Sequence, residues 1–415
     1  MAEPLQAEVV VIGAGVVGLA CGLHLAAEGK DVLLVDAETR PVGTSAGNAA
    51  TIAAYNCVPV GTPGVLRILP NLLLDRDSPL ALRWAALPGL APWLIRFIRQ
   101  SLPGPAAANA AALAALLHRS LAAWNDLAAE AAATELMRPT GAMYLFPDAA
   151  ALAGAEWNRA RRDAGGIRQF VVGPAEIAAL EPALADWRGP GIHFPDATHL
   201  ADPALMLQRL RAAIAARGGR IIRGEIMSLA VEENGVRLGG PSLSIRAGAA
   251  VIAAGAWSRG LARQAGDAVP LATERGYHLE YAMDTPLLSR PVCPIRFGVY
   301  LTPLAGRLRA AGTVELGGLN RGPTLRRAEL LDRAARTVFP DLPPPGPLWL
   351  GFRPSLPDSL PVIGPSRRSA RVIHAYGHGH LGLTLAAVTA RNVAALLRGG
   401  TAPDRLTAFS PQRFG

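Results

Sequence analysis

Lysine is almost missing from this chain: of its 41 basic residues in 415, only Lys30 is a lysine and the rest are arginines. The formal charge of +9 and the pI of about 10.2 are carried by scattered guanidinium groups. Short clusters such as Arg159, Arg161, Arg162 and Arg326, Arg327 fall on alanine-rich, helical stretches without interleaved aromatics. No concentrated basic stripe results, which argues against a nucleic-acid partner and leaves solvated faces or contact with acidic lipid headgroups. Cysteine is scarce too. Cys21, Cys57 and Cys293 are odd in number and far apart, which excludes a secreted disulfide framework and a CxxC metal site; a reducing cytoplasm is the expected setting, with no metal. No basic stretch followed by an apolar run and a small-residue cleavage site precedes the first strand, so no cleaved export signal is expected. Uninterrupted apolar runs are short. The stretch from Pro59 to Leu102 holds Trp84, Trp93 and Phe97, but Pro70, Pro79, Pro88 and Pro92 break it, as do Arg83, Arg96 and Arg99. It stays well short of the roughly 20 apolar residues a spanning helix needs. Core or subunit contact is its expected role, ahead of peripheral contact with the inner membrane face. No serine, cysteine or paired-carboxylate catalytic constellation is visible, which leaves the chemistry to a cofactor.

What the chain does have is the loop Gly13-Ala14-Gly15-Val16-Val17-Gly18, set between the apolar run Val9 to Ile12 and an amphipathic stretch ending near Lys30. The glycines stand where a strand must turn tightly, let its backbone approach a pyrophosphate, and start a helix packed close on the sheet. The helix offers free N–H groups to the phosphates. A second apolar run, Val32 to Val35, ends in Asp36, whose carboxylate accepts from ribose hydroxyls and repels a ribose phosphate. The pattern predicts binding of a dinucleotide with an unphosphorylated ribose.

Beyond this unit the spacing predicts a long helix from about Ala106 to Leu136, a strand over Gly141 to Pro147, and helices over Ala149 to Asp163 and Ala175 to Leu180. Another helix is predicted over Pro203 to Arg217, a hairpin over Arg220 to Leu238 around Asn234-Gly235, and a buried strand over Ala249 to Ala254. Strand-like runs follow from Leu279 to Thr313, then a helix over Arg327 to Val338 and a rigid connector over Pro340 to Pro347. Leu348 to Phe352 and Arg371 to Ala375 read as strands, and Leu383 to Leu397 as a helix closed by Gly399. No second dinucleotide loop, repeat or low-complexity tract beyond alanine bias is evident.

VVVIGAGVVG at Val9 to Gly18, VIAAGAWS at Val251 to Ser258, WLGFRPSLPDSLPVIG at Trp349 to Gly364 and YGHGHLGLT at Tyr376 to Thr384 together resemble the D-amino-acid oxidase family of flavoproteins, most closely its bacterial D-amino-acid dehydrogenases. The resemblance runs through essentially the whole chain. It implies FAD and an α/β architecture: a discontinuous Rossmann-like FAD-binding domain over 1–58, 196–265 and 345–415, with a mainly antiparallel substrate domain over 59–195 and 266–344. GTSAGNAA at Gly43 to Ala50 is similar to the family's flavin-contacting stretch, with alanine at Ala50 where the family often has glycine. The implied cofactor set is Gly13, Gly15, Val16, Val17, Gly18, Asp36, Ala37, Thr44, Ser45, Asn48, Ala49, Ala254, Gly255, Gly379, His380, Leu381, Gly382, Leu383 and Thr384.

Arg353 precedes Pro354, which disfavours helical backbone and holds the guanidinium on an extended support. A planar fork of donors matches a carboxylate in two parallel hydrogen bonds, and the resemblance places Arg353 at the substrate carboxylate; the competing reading is a salt bridge to Asp358. The loop Gly377 to Gly382 precedes a helix, so its amides can face an anionic reduced flavin. His374, His378 and His380 have metal-like spacing, but the intervening glycines spoil a helical pair. Catalytic candidates are Arg353, Tyr277, Tyr300 and His378, with Arg275, His278, Arg296 and Tyr55 behind them. In a strand, His278 would face away from Tyr277. The leading expectation is oxidation of a D-amino acid by hydride transfer to FAD, the electrons passing to a quinone, a protein carrier or dioxygen, in a monomer or a homo-oligomer. D-proline or hydroxy-D-proline is the alternative substrate, and a flavin-dependent tRNA-modifying protein is the reading from another class.

Overall fold

A computed structural model describes residues 3–37, 43–75, 78–400 and 402–415. The run from Val9 to Ile12 lies in the strand Leu5–Ile12, with Val32–Asp36 and Leu243–Ile252 parallel on either side. Both faces of this sheet are covered, so all four residues of the run are buried: Val9 and Val11 enter one core, Val10 and Ile12 the other. The first core is filled from helices Val16–Ala27, Pro203–Ala216 and Gly382–Leu397, the second from strands Ser228–Glu232 and Gly235–Gly240 and helix Ser258–Gln264. Among the described residues eight strands make up this sheet; Arg220–Arg223 lies on its edge, and Val372–Tyr376 joins the far end of Leu243–Ile252.

A second sheet of nine described strands is mainly antiparallel, with Ala272–Ala282 between Arg307–Leu316 and Trp349–Ser355. Helix Arg326–Val338 covers one face through Leu330, Leu331, Ala334 and Ala335. The opposite face looks toward the nucleotide-binding half. The mixed α/β architecture is the expected one.

Several local expectations are corrected. The stretch over Ala106 to Leu136 is two helices, Pro103–Leu117 and Ser120–Glu130, because the Ser120 hydroxyl donates to the Leu117 carbonyl at 2.7 Å and competes with the helical ladder. Ala149 to Asp163 likewise splits into Ala149–Gly154 and Glu156–Ala164. Arg220–Arg223 is not part of a hairpin; it pairs in parallel with Val32–Asp36, and only Ser228–Glu232 and Gly235–Gly240 form the hairpin. Trp349–Ser355, expected in the nucleotide-binding half, is an edge strand of the other sheet. Conversely the alanine-rich helices between 103 and 130 pack on the nucleotide-binding core, where Trp124 Nε1 donates to the Leu383 carbonyl at 2.8 Å.

The proline-broken segment forms helices Pro63–Leu74 and Leu87–Gln100, with Trp93 buried and stacked on Phe97. Its Ile68, Trp84, Ile95, Ile98 and Leu102 remain exposed, so a core role holds only for its inner face. The stretch Gly379–Leu397 is long and apolar enough to cross a membrane, yet most of it is buried in the first core, which accounts for its composition.

Candidate active site

A cavity of about 900 Å³ opens between the two sheets, near the upper end of the range for cofactor sites. Its nucleotide end follows from the glycine loop. Gly13 has φ +105°, and a Cβ there would lie 2.5 Å from the Ala253 carbonyl oxygen; at Gly18 a Cβ would lie 1.9 Å from the Gly13 oxygen. Only glycine lets the strand turn and the helix pack here. The Ala14 N–H donates to Asp36 Oδ2 and the Val16 N–H to Ser45 Oγ at 2.9 Å, so the loop is held before any ligand arrives. Helix Val16–Ala27 has no acidic side chain in its first turn, which leaves its positive end for phosphate. These residues fit a dinucleotide such as FAD.

The cofactor candidates all line this cavity except Gly18, Leu381 and Thr384. Gly18 acts through packing. Leu381 is buried in the first core, and the Thr384 hydroxyl accepts from the Ala53 N–H at 3.0 Å. The stretch 43–50 is fastened from the other sheet: Arg309 donates to the carbonyls of Ala46 and Asn48 at 3.0 and 2.6 Å, and Thr302 to that of Ala49 at 2.9 Å. Thr44 Oγ1 accepts from the Phe352 N–H at 2.9 Å, which ties this stretch to the strand carrying Arg353. Ala50 is buried at φ +58°, so it keeps the left-handed conformation that glycine adopts more easily.

Arg353 reaches the same cavity. Its guanidinium lies across Gly276, where a Cβ would come within 2.3 Å of its Cζ, and it donates to the carbonyls of Thr313 at 2.8 Å and Gly312 at 3.4 Å. Asp358 is engaged instead by Arg413 at 2.8 Å, so it is not the partner of Arg353. Burial pushes the guanidinium below its ordinary value and the nearby Glu274 opposes this; an arginine stays charged through such a shift.

Thr313 and Glu274 were not visible as candidates in the sequence. Thr313 sits at φ +58°, unusual for a β-branched residue, where the pairing of Ala272–Ala282 with Arg307–Leu316 slips beside Gly276. Its hydroxyl is buried at the cavity wall without a hydrogen-bond partner. Glu274 stands across from Arg353 in the sheet register and is hydrogen-bonded through Oε2 to His380 Nε2 at 2.6 Å. Burial works to raise its carboxyl, but His380 and Arg353 outweigh this and hold it below the ordinary 4.5. A depressed carboxyl stabilises the fold above its unfolded value and loses that contribution as pH falls through the folded one. Acidification below about 4.5 is therefore expected to lower the melting temperature more steeply in the natural protein than in Glu274→Gln, as thermal unfolding from about pH 6 to about pH 3 would register.

The other catalytic candidates separate. Tyr300 lines the cavity, its hydroxyl 3.0 Å from that of Tyr144 and 3.4 Å from that of Tyr55; burial raises all three phenols, which stay neutral donors. Tyr277 lines the cavity too. Its hydroxyl donates to Glu315 at 3.2 Å on the face of the strand opposite Glu274, beside the fully buried Arg275, which ion-pairs with Glu315 at 3.0 Å. His278 does face the other way, stacked on Trp349, and its Nδ1 is hydrogen-bonded to the Gly47 carbonyl at 2.8 Å. Burial pushes it down to about 4. His378 lines the cavity as well; its ring is buried, hydrogen-bonded to Thr389 at 3.0 Å, and pushed down by burial to about 3. Arg296 is not part of the cavity wall. His374 is buried against Asp267 at 2.9 Å, and no set of three or more metal-binding side chains comes together among the described residues.

Comparison with known proteins gives the family. Residues 8–396 match the family described as DAO, FAD dependent oxidoreductase. A D-amino-acid oxidase of Bradyrhizobium diazoefficiens is 35% identical over 423 residues, covering 99% of this chain and 100% of that one. A D-amino acid dehydrogenase of Paramagnetospirillum magneticum is 33% identical over 98% of this chain and 99% of its own length. Among solved structures, glycine oxidase from Geobacillus kaustophilus superposes with a TM-score of 0.77 at 22% identity over 99% of each chain. L-proline dehydrogenase from P. horikoshii gives 0.73 at 19% identity over 99% and 98%. At such identities the structural likeness speaks for the fold alone. With the family match spanning nearly the whole chain, and a dinucleotide cradle open to the Arg353 pocket, the chain belongs to the DAO family of FAD-dependent oxidoreductases.

Proposed function

We propose that this flavoenzyme oxidises a D-amino acid at its Cα–N bond, giving an imine that hydrolyses to a 2-oxo acid. The observation that carries the reading is Arg353: a charged fork with no carboxylate within ion-pair distance among the described residues, in the cavity that also contains the glycine loop. Its two protein acceptors are neutral carbonyls, which leaves its charge to the α-carboxylate of a substrate. The names of the relatives above, a D-amino-acid oxidase and a D-amino acid dehydrogenase, support the substrate class.

Bound FAD supplies the two-electron acceptor. The protein supplies position: Arg353 anchors the carboxylate, the backbone around Gly276 and Gly312 holds Arg353, and Thr44 links that strand to the loop facing the cofactor. Tyr300 walls the pocket with a neutral hydroxyl. No side chain is required as base when the amine enters neutral.

The test is anaerobic bleaching of the flavin by matched D- and L-amino acids, both prolines included, followed by reoxidation with dioxygen or a quinone. Bleaching by primary D-amino acids is expected. Bleaching confined to L-amino acids, or absent with every amino acid, would overturn the reading; reduction confined to D-proline would move it to cyclic amines.

A further inference from the structure

The helix Glu156–Ala164 buries a cation that the site above does not use. Arg162 is 4% exposed, its Cζ lies 5.2 Å from the ring centroids of both Tyr144 and Phe194, and its Nε has no hydrogen-bond partner. Nearby acids are engaged elsewhere: Glu156 pairs with Arg159, and Asp163 accepts from Gln169. Among the described residues none comes within ion-pair distance of Arg162. Arginines are almost never this buried unless paired, and two aromatic faces offset only part of the cost of desolvating one.

Arg162 lines a second cavity of about 390 Å³, with Asn56, Asn158 and Ser355 among its polar walls. Glu274 also lines it, but that carboxylate is taken by His380. The two cavities share walls at Asn56, Gly298, His378, Gly379 and His380. The Tyr144 hydroxyl, on the second cavity, is hydrogen-bonded to the Tyr300 hydroxyl, on the first. One cation thus stands in each of two adjoining chambers, neither with a carboxylate within ion-pair distance among the described residues, and the nearby Glu274 is hydrogen-bonded to His380.

We infer that Arg162 receives the side-chain carboxylate of the substrate, so that the preferred substrates are acidic D-amino acids with the α-carboxylate on Arg353 and the distal one on Arg162. This rests on the reading of the larger cavity as the site of D-amino-acid oxidation. A carboxylate complements the Arg162 cation in charge, and the flat guanidinium matches it with paired donors. A neutral side chain of the same shape leaves the buried charge unpaired, which makes the site discriminate between an acid and its amide.

The holoenzyme tests this without mutation, by the rate of anaerobic flavin bleaching with D-glutamate against D-glutamine and D-aspartate against D-asparagine. An advantage for the acid on the order of 10²-fold in kcat/KM is expected. Arg162→Met should bring the ratio close to one with the flavin spectrum little changed, and Arg162→Lys should restore part of the preference. Equal rates for acid and amide in the natural protein, or an unchanged ratio in flavin-loaded Arg162→Met, would overturn the inference. Bleaching by neutral D-amino acids without preference for acids would sink this assignment alone; no bleaching by any amino acid would sink the broader reading with it.

Discussion

Replacing Arg353 with methionine is expected to lower kcat/KM for the amino-acid substrate by roughly 10²–10³-fold, chiefly through KM, while the flavin stays bound. Methionine keeps an unbranched stem but removes the charged fork, so the substrate loses its anchor and not its cofactor. The carbonyls of Thr313 and Gly312 lose their donor as well, which costs about 1–3 kcal/mol of stability for a buried acceptor left unpaired. Flavin content by absorbance separates the two effects. Unchanged kinetics in a fully flavinated variant would remove Arg353 from the binding site. Gly276→Ala supplies an independent check, because its methyl would fall 2.3 Å from Arg353 Cζ and push the guanidinium aside. It should move KM in the same direction with the arginine still present.

The second large effect is expected at the glycine loop. In Gly18→Ala the new methyl would stand 1.9 Å from the Gly13 carbonyl oxygen, a contact with backbone that no rotamer relieves. Helix and strand must separate, at a cost of about 1–3 kcal/mol or more, and the N–H groups at the helix start move out of line with the phosphates. The variant should purify with little or no flavin and melt at a lower temperature. Gly29→Ala is the control. Unlike Gly18 it has a positive φ, +80°, but nothing lies within 4 Å of the added methyl, so it should cost about 1–2 kcal/mol and keep its flavin. Equal flavin content in the two variants would mean that the tight packing at Gly18 does not matter for cofactor binding.

The βαβ unit, its glycine loop and Asp36 were legible because each depends on residues within a few positions of one another. The extended strand around Arg353 was legible for the same reason, through the steric limits Pro354 imposes. The polar partners of Tyr277 and His378 were not legible, because a residue type in a suggestive stretch says nothing of which face of the strand it occupies or which neighbour takes its polar atom. In the fold Glu315 takes one and Thr389 the other. The single long helix expected after Pro105 broke at Ser120 through a side-chain hydrogen bond that hydrophobic spacing does not register.

Spacing along the chain was enough for a dinucleotide cradle and for the extended support under Arg353, because turn geometry and backbone sterics act locally. The company those residues keep was settled by folding. Glu274 faces Arg353 through strand register, Thr44 reaches Phe352 across 308 residues, and Arg162 is buried beside Tyr144 by the packing of a helix on a distant sheet. Electrostatic partners and cavity walls depend on distance in space, which long-range strand pairing and helix packing set, and no local pattern of residue types encodes it.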